Sequence, residues 1–291
     1  MEITKVEAHG DYRILTPDVE WRLHLGAQDP RCQRAIGTWL NAGEFAVGVA
    51  TSWEAAARAK EGWHLAWVER DGAIDGVSVV TPCRTWFIEP ATQGAADMLV
   101  AAALRVSPRT LTTSARGKEL CRGLLQQRTT IVRERHSLAM VCVGIASGAD
   151  GRWAEAGDLS ALADLLRQSN EETGADVRID WGKAVDRKQV AVVSRRGRIF
   201  GAMLRGGQNQ HYAAIRWSYT APEAKKNNAH GRLMAFVVEE LRREGRATHV
   251  LVPVEDTVTV DAYHEVGFDT VGVAYTAYLG EVTPRFAAHG L

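Results

Sequence analysis

The chain has 291 residues, long for one domain and sufficient for two of about 145 each. Hydrophobic residues make up 46% and charged residues 24%, which excludes a disordered chain, and a formal net charge of +0 removes the electrostatic case for a general nucleic-acid binder. Cys32, Cys83, Cys121 and Cys142 form no C-x-x-C and stand beside no His/Cys cluster, so neither a zinc site nor a redox pair nor another metal centre is indicated.

The N-terminal stretch Met1 to Glu7 is too polar and acidic for a signal peptide, and the longest apolar stretch, Met98 to Leu104, is far short of the roughly 20 residues a membrane span needs. A cytoplasmic protein with no membrane partner is expected. The apolar runs His64–Val68 and Ala73–Val80 flank Asp71-Gly72, two residues that accept positive φ, and so predict a hairpin. A strand (Thr85–Ile88), a helix (Ala95–Leu104), a strand (Thr110–Thr113) and a second helix follow. The small, polar stretch 146–151 predicts a boundary, after which Asp158 caps an amphipathic helix carrying Leu159, Leu162, Leu165 and Leu166.

The same order then returns. The runs 189–193 and 199–204 flank Arg195-Arg196-Gly197, a second hairpin, and the strand 213–219 follows. A helix over 233–243 places apolar residues at 233, 234, 237, 238 and 241, with Gly245 where a helix would end. A strand over 248–254, a helix starting near the good N-cap residue Asp256, and a last strand (Val271–Leu279) close the chain.

Two stretches carry specific chemistry. Tyr219-Thr-Ala-Pro-Glu223 ends one strand, and Asp256-Thr-Val-Thr259-Val-Asp-Ala-Tyr263-His-Glu-Val-Gly267-Phe268 forms the following helix. With the element order, they resemble the Y-T-x-P-E and N-x-x-A-x-x-x-Y-x-x-x-G-F runs of the Gcn5-related N-acetyltransferase (GNAT) superfamily. The resemblance covers residues 152–280 well and the first half only by arrangement. It implies a mixed α/β (α+β) fold of two tandem GNAT-like domains, each a mostly antiparallel twisted sheet flanked by helices: a degenerate domain over 1–146 and an acyltransferase domain over 147–291.

The implied reaction moves an acyl group from a thioester, with acyl-CoA as co-substrate, to an amine of a small molecule or peptide by direct attack. In the family a splay between the fourth and fifth strands admits the donor, here against Trp217, Tyr219 and Thr220. Pro253 removes one ladder donor from the next strand and is a place for pairing to stop, or is an edge-strand proline. Tyr263 would protonate the leaving thiolate or position the donor; the plainer alternative is a core aromatic packed beside Phe268. Asp256 is grouped with the donor-binding residues.

The donor loop departs from the family's R/Q-x-x-G-x-G/A, whose backbone amides cradle a pyrophosphate at a helix N-terminus. Here it reads Lys225-Lys226-Asn227-Asn228-Ala229-His230, or one residue on, Lys226-x-x-Ala229-x-Gly231. Either asparagine can accept positive φ, the lysines can meet phosphate, and His230 contacts phosphate or sits on the surface. Candidates for the base are Glu171, Glu172, Asp176, His211 and His249, with Glu172 and His211 put forward.

The altered loop leaves two alternatives. One is an aminoacyl-tRNA donor, as in tandem GNAT-fold enzymes of peptidoglycan and natural-product assembly, with tRNA met by Arg195, Arg196, Arg198, Arg242, Arg243 and Arg246 beside the lysines. The other is a non-catalytic ligand-binding protein. The first half has Gln93-Gly94 before its helix but no Gly-Phe counterpart, so it is expected to be inactive and to shape the acceptor site, with Trp21, Trp39, Trp53, Trp63, Trp67 and Trp86 in its core by default or walling an acceptor cleft.

Overall fold

A computed structural model describes residues 2–6, 11–16, 19–26, 30–42, 49–50, 52–53, 56, 62–144, 148–174, 177–225 and 228–282. By internal contacts the chain divides into one unit of Met1–Ala139 with Val271–Leu291 and a second of Met140–Thr270. The two sequence halves, 1–146 and 147–291, are statements of chain order; the contact units differ from them chiefly in the last strand.

In the first unit, β1 (Glu2–Val6), β2 (Asp11–Thr16) and β3 (Val19–Leu25) form an antiparallel meander that continues into β4 (His64–Arg70), β5 (Ala73–Val80) and β6 (Thr85–Pro90). The β4–β5 turn has Asp71 at φ 50° and Gly72 at φ 83°, the double positive φ that a two-residue hairpin with right-handed strand twist requires. β6 pairs in parallel with β7 (Thr110–Ser114) across α2 (Gln93–Leu104). After α3 (Ala115–Arg128) comes the long β8 (Thr129–Cys142).

The sheet is completed from the far end of the chain. β14 (Asp269–Val282), expected in the sheet of the second half, pairs antiparallel with β7 from Ala274↔Ser114 to Tyr278↔Thr110, and β8 lies on its other side. Burial explains the exchange: Tyr275 and Ala277 enter the core beside Leu99, Leu111 and Leu125, and the Thr112 and Thr276 hydroxyls meet at 3.2 Å. Both faces of β4 and β5 are covered, since Ala66, Val68 and Val80 face the α2 core while Leu65, Trp67, Val77 and Val79 pack with α1 (Pro30–Ala42) and Trp53. Continuous apolar runs rather than alternation follow from that.

In the second unit the order is β9 (Arg152–Trp153), α4 (Leu159–Thr173), α5 (Trp181–Asp186), β10 (Val190–Arg195), β11 (Arg198–Gln208), β12 (Tyr212–Thr220), α6 (Pro222–Lys225), α7 (Ala229–Arg243), β13 (Ala247–Pro253) and α8 (Thr257–Val266). The strands lie in the order β9-β10-β11-β12-β13, antiparallel except for the β12–β13 pair. Leu162, Leu165, Trp181, Val190, Val192, Leu204 and Tyr219 pack on one face. The predicted stripe of α7, Leu233, Met234, Val237, Val238 and Leu241, is buried, and the helix begins at Ala229, before the expected residue 233. Gly245, at φ 76°, ends it: its amide bonds the Arg242 carbonyl at 2.9 Å while Arg246 N–H bonds Leu241 O at 2.9 Å.

Candidate active site

β12 and β13 pair only through Tyr212↔Ala247, Ala213↔Thr248 and Ala214↔His249. From Ile215 to Thr220, β12 has no register partner on β13, so a row of backbone groups that a sheet would normally saturate is turned toward the gap. Pairing ends at His249, well before Pro253, so the proline does not stop it. Pro253 ends β13 and precedes the turn in which Asp256 N–H bonds its carbonyl at 3.0 Å.

The helix over this gap is fixed at both ends by its own sequence. Asp256 is the N-cap of α8, its carboxylate accepting from Thr259 N–H at 3.2 Å. At the other end Gly267 stands at φ 97°, with Gly267 N–H bonded to His264 O and Phe268 N–H to Tyr263 O, each at 3.0 Å. These are the two bonds of a Schellman cap, whose usual companion is an apolar contact between the residues at its ends. Here that contact is Tyr263 on Phe268, rings stacked at 5.2 Å. The Tyr-x-x-x-Gly-Phe run is therefore a helix stop that also fixes a tyrosine.

Tyr263 is buried, and burial pushes its phenol up to about 12, with a hydrogen bond from Ser218 opposing the shift and Asp256 adding to it. Its hydroxyl lies 3.0 Å from His230 Nε2, and the two rings stack at 5.5 Å. His230 Nδ1 in turn lies 3.4 Å from Thr220 Oγ1. Ser218 and Thr220 alternate with Trp217 and Tyr219 along β12, so the hydroxyls serve one face and the aromatics the other. Thus His230, read from sequence as a phosphate or surface residue, is turned inward onto Tyr263. Sequence reasoning misses Ser218, though period-two alternation with Thr220 is a signal that could have found it; nothing in the sequence points to His230 there.

On the opposite face, Tyr219 donates its hydroxyl to Glu172 at 2.7 Å, and burial, then Glu172, push that phenol up to about 12. Trp217 stacks on Tyr219 at 6.4 Å and meets Trp181 edge-on at 5.5 Å. His211 immediately precedes β12, exposed and against Gln210, about 26 Å from Tyr219 by strand rise. It is not brought to Tyr263. His249 is buried at the closed end of the splay and is pushed down to about 4 by burial, so it is neutral at neutral pH. Glu171 is exposed beside Arg167 at 3.4 Å, and Asp176 lies outside the described residues.

At the donor loop, Lys226 and Asn227 lie outside the described residues, and Lys225 contributes only the end of α6. Asn228 precedes α7 in the left-handed region (φ 50°, ψ 36°) without capping it through its side chain. Ala229 is buried, and a Cβ at Gly231 would lie 2.5 Å from Asn228 Oδ1, so glycine there makes room for the asparagine amide. The uncapped amides are suited to an anion. Beside them opens a cavity of about 680 Å³ lined by Arg195, Phe200, Glu223, Ala229 and Arg232. Of the six arginines named for tRNA, three are engaged by carboxylates: Arg198 with Glu223 at 2.8 Å, Arg243 with Glu239 at 2.6 Å, and Arg246 with Glu244 at 2.5 Å.

Among the described residues no three His, Cys, Asp or Glu side chains gather as a metal site, and no helix is long and apolar enough to cross a membrane.

No family model and no curated protein matches the sequence. Solved structures do match the fold. A GNAT-family acetyltransferase from Colwellia psychrerythraea superposes with a TM-score of 0.56 at 12% identity, covering 89% of this chain and 99% of that one. A tandem GNAT protein from the clavulanic acid biosynthesis pathway gives 0.52 at 12% identity, covering 90% and 99%. A GCN5-related N-acetyltransferase from Sphaerobacter thermophilus gives 0.53 at 15%, covering 90% and 96%. The chain has the fold of the GNAT superfamily, in the tandem form.

Proposed function

We propose that the second unit is an N-acyltransferase that takes its acyl group from acyl-CoA and delivers it to a primary amine of a small molecule or peptide. The observation that carries this reading is the unpaired stretch of β12 from Ile215 to Thr220, with the Tyr263 hydroxyl on one face of it and the Glu172 carboxylate on the other. Direct attack on a thioester needs a base on the side of the amine and a proton donor on the side of the leaving sulfur. A bound acyl-CoA would bring the thioester carbonyl and the leaving thiolate.

Free N–H and C=O groups of β12 would orient the donor's pantetheine amides. The amides of Ala229 and its neighbours at the start of α7 would meet the pyrophosphate. Glu172, through its contact with Tyr219, is the base we assign, and Tyr263 the group at the sulfur. The structural neighbours agree with acetyl transfer at the level of fold; Asp256 holds the helix rather than the donor.

Purified protein offered acetyl-CoA and a panel of amines should release free thiol only when a suitable amine is present. Absence of thiol release with every acyl-CoA, together with transfer from charged tRNA, would replace the donor. Acetyl-CoA binding without transfer to any amine would favour the non-catalytic alternative.

A further inference from the structure

Resting on that reading, we propose that His230 is the proton source behind Tyr263: a positioning residue that hands a proton through the phenol to the departing thiolate. The His230 Nε2 to Tyr263 hydroxyl distance of 3.0 Å is a direct hydrogen bond, the stacked rings hold it in place, and Thr220 at 3.4 Å engages the second ring nitrogen. Serving both nitrogens is what keeps an imidazole in one orientation while its charge changes. A hydroxyl suits this role because it accepts from Nδ1–H both in the cation and in the neutral ring left when Nε2 gives up its proton.

The need for a second group follows from the burial of Tyr263. A phenol raised to about 12 is a poor acid toward an alkyl thiolate near 8.5, and the transfer runs uphill by a factor on the order of 10³. An imidazolium, by its chemistry a stronger acid than an alkyl thiol, makes the same net transfer downhill. As the C–S bond breaks and the C–N bond forms, the Tyr263 proton goes to sulfur and the His230 Nε2 proton goes to the Tyr263 oxygen. His230 ends neutral and Tyr263 unchanged. The proton lost by the amine leaves through the base to solvent, and solvent recharges His230. Ser218 and Thr220 from β12, Asp256 at the N-cap of α8 and the Phe268 ring also face this pair.

In the register counted from Lys225, His230 is an ionisable ring at a position where the family's loop carries a small residue. A histidine that merely filled space there would need no contact with the one hydroxyl the chemistry uses.

Two measurements separate the relay from a packing role. In acetyl-CoA turnover with the best amine, His230→Ala should lower kcat by about 10²-fold with KM for acetyl-CoA nearly unchanged, and added imidazole should restore part of the rate. His230→Gln, which keeps a hydrogen bond but cannot carry the proton, should stay slow. A fast His230→Gln, or an alanine variant that imidazole does not rescue, overturns the relay. Independently of turnover, the imidazole nitrogen NMR titration of His230 should move between the wild-type chain and Tyr263→Phe. An unchanged titration overturns the proton link even if no amine is ever acylated, whereas loss of all turnover in wild type with a moved titration rejects the acyltransferase reading alone.

Discussion

Each unit contains a parallel strand pair bridged by a helix, and the two treat the ends of that pair in opposite ways. In the second unit β12 and β13 part after Ala214↔His249, and α7 starts without a side-chain cap. In the first, β6 and β7 pair through Phe87↔Thr112, and beyond that Glu89 bridges the strands: its carboxylate accepts from the Ser114 hydroxyl at 2.5 Å and the Ser114 amide at 3.3 Å. At the start of α2, Thr92 caps the Ala95 amide, and Asp75 accepts from Thr92 at 2.5 Å and from the Trp21 indole at 3.2 Å. The Trp21 ring lies only 2.9 Å from where a Cβ on Gly94 would be. A helix N-terminus and a strand end become a ligand site only when the chain leaves them unsatisfied, and the first unit satisfies its strand end with the Glu89 carboxylate and its helix end with the Thr92 hydroxyl, with the Trp21 ring lying over Gly94. Counted from the N-caps Ser114 and Asp256, the residue matching Tyr263 is Cys121, buried with its thiol pushed up to about 12 chiefly by burial.

The sharpest test of the contrast is a matched pair of substitutions. Tyr263→Phe keeps the ring on Phe268 and removes only the hydroxyl, so acyl transfer should fall by about 10²- to 10⁴-fold with thermal stability nearly unchanged. Cys121→Ser should leave the rate as it is. A Tyr263→Phe enzyme of full activity would remove both the acid and the relay behind it.

Next in size is the hub that closes the first unit. Asp75 is buried and accepts from Trp21 and Thr92, with Arg70 at 3.6 Å. Asp75→Ala leaves those donors without their acceptor and should cost about 2–3 kcal/mol, read as an earlier denaturant transition of this unit. Acetyl-CoA binding should not rise, because Trp21 still covers Gly94; a gain in binding would mean that the carboxylate alone kept the first unit shut.

Much of this contrast was legible from residue order and some was not, for physical reasons. Asp71-Gly72 and Arg196-Gly197 declared their hairpins because a two-residue turn demands positive φ, and all four residues have it. The Tyr263-Gly267-Phe268 spacing could be read because a Schellman cap fixes the offset between its ends. The partner of β14 could not be read: a strand's sequence encodes which face is apolar, not which sheet takes it, and Tyr275 and Ala277 would satisfy that alternation in either unit. The meander β1–β3 precedes the first apolar run long enough to notice. His230 is the second residue of α7, after a polar stretch that encodes no partner for it, and its ring meets Tyr263 only because α8 packs against α7.

A smaller effect is expected at the cap itself. Gly267 occupies φ 97°, where a Cβ is strained, so Gly267→Ala should cost about 1 kcal/mol while Gly117→Ala in the first unit, where a Cβ would collide with the Thr113 hydroxyl, should cost rather more, about 1–3 kcal/mol. Denaturant midpoints read both. Only Gly267→Ala should also slow acyl transfer, since the same cap orients Tyr263.

The mildest substitution acts on the plug of the first unit through pH. Burial raises the Glu89 carboxyl above its ordinary 4.5, and the Ser114 hydrogen bonds and Arg116 pull against that without reversing it. A carboxyl whose folded value lies above its unfolded one binds protons more tightly when folded. Its favourable contribution is therefore complete below about 4.5 and is lost as pH rises through the folded value. Above that folded value the ionised plug costs stability. Glu89→Gln keeps an acceptor for Ser114 without the charge, and should protect the Ser114 amide from hydrogen exchange at neutral pH by up to about 1 kcal/mol relative to wild type. The advantage should shrink on acidification toward 4.5. An advantage that instead grew toward acid would mean the Ser114 bonds outweigh burial, and that the first unit is held shut by a carboxylate the fold favours rather than one it tolerates.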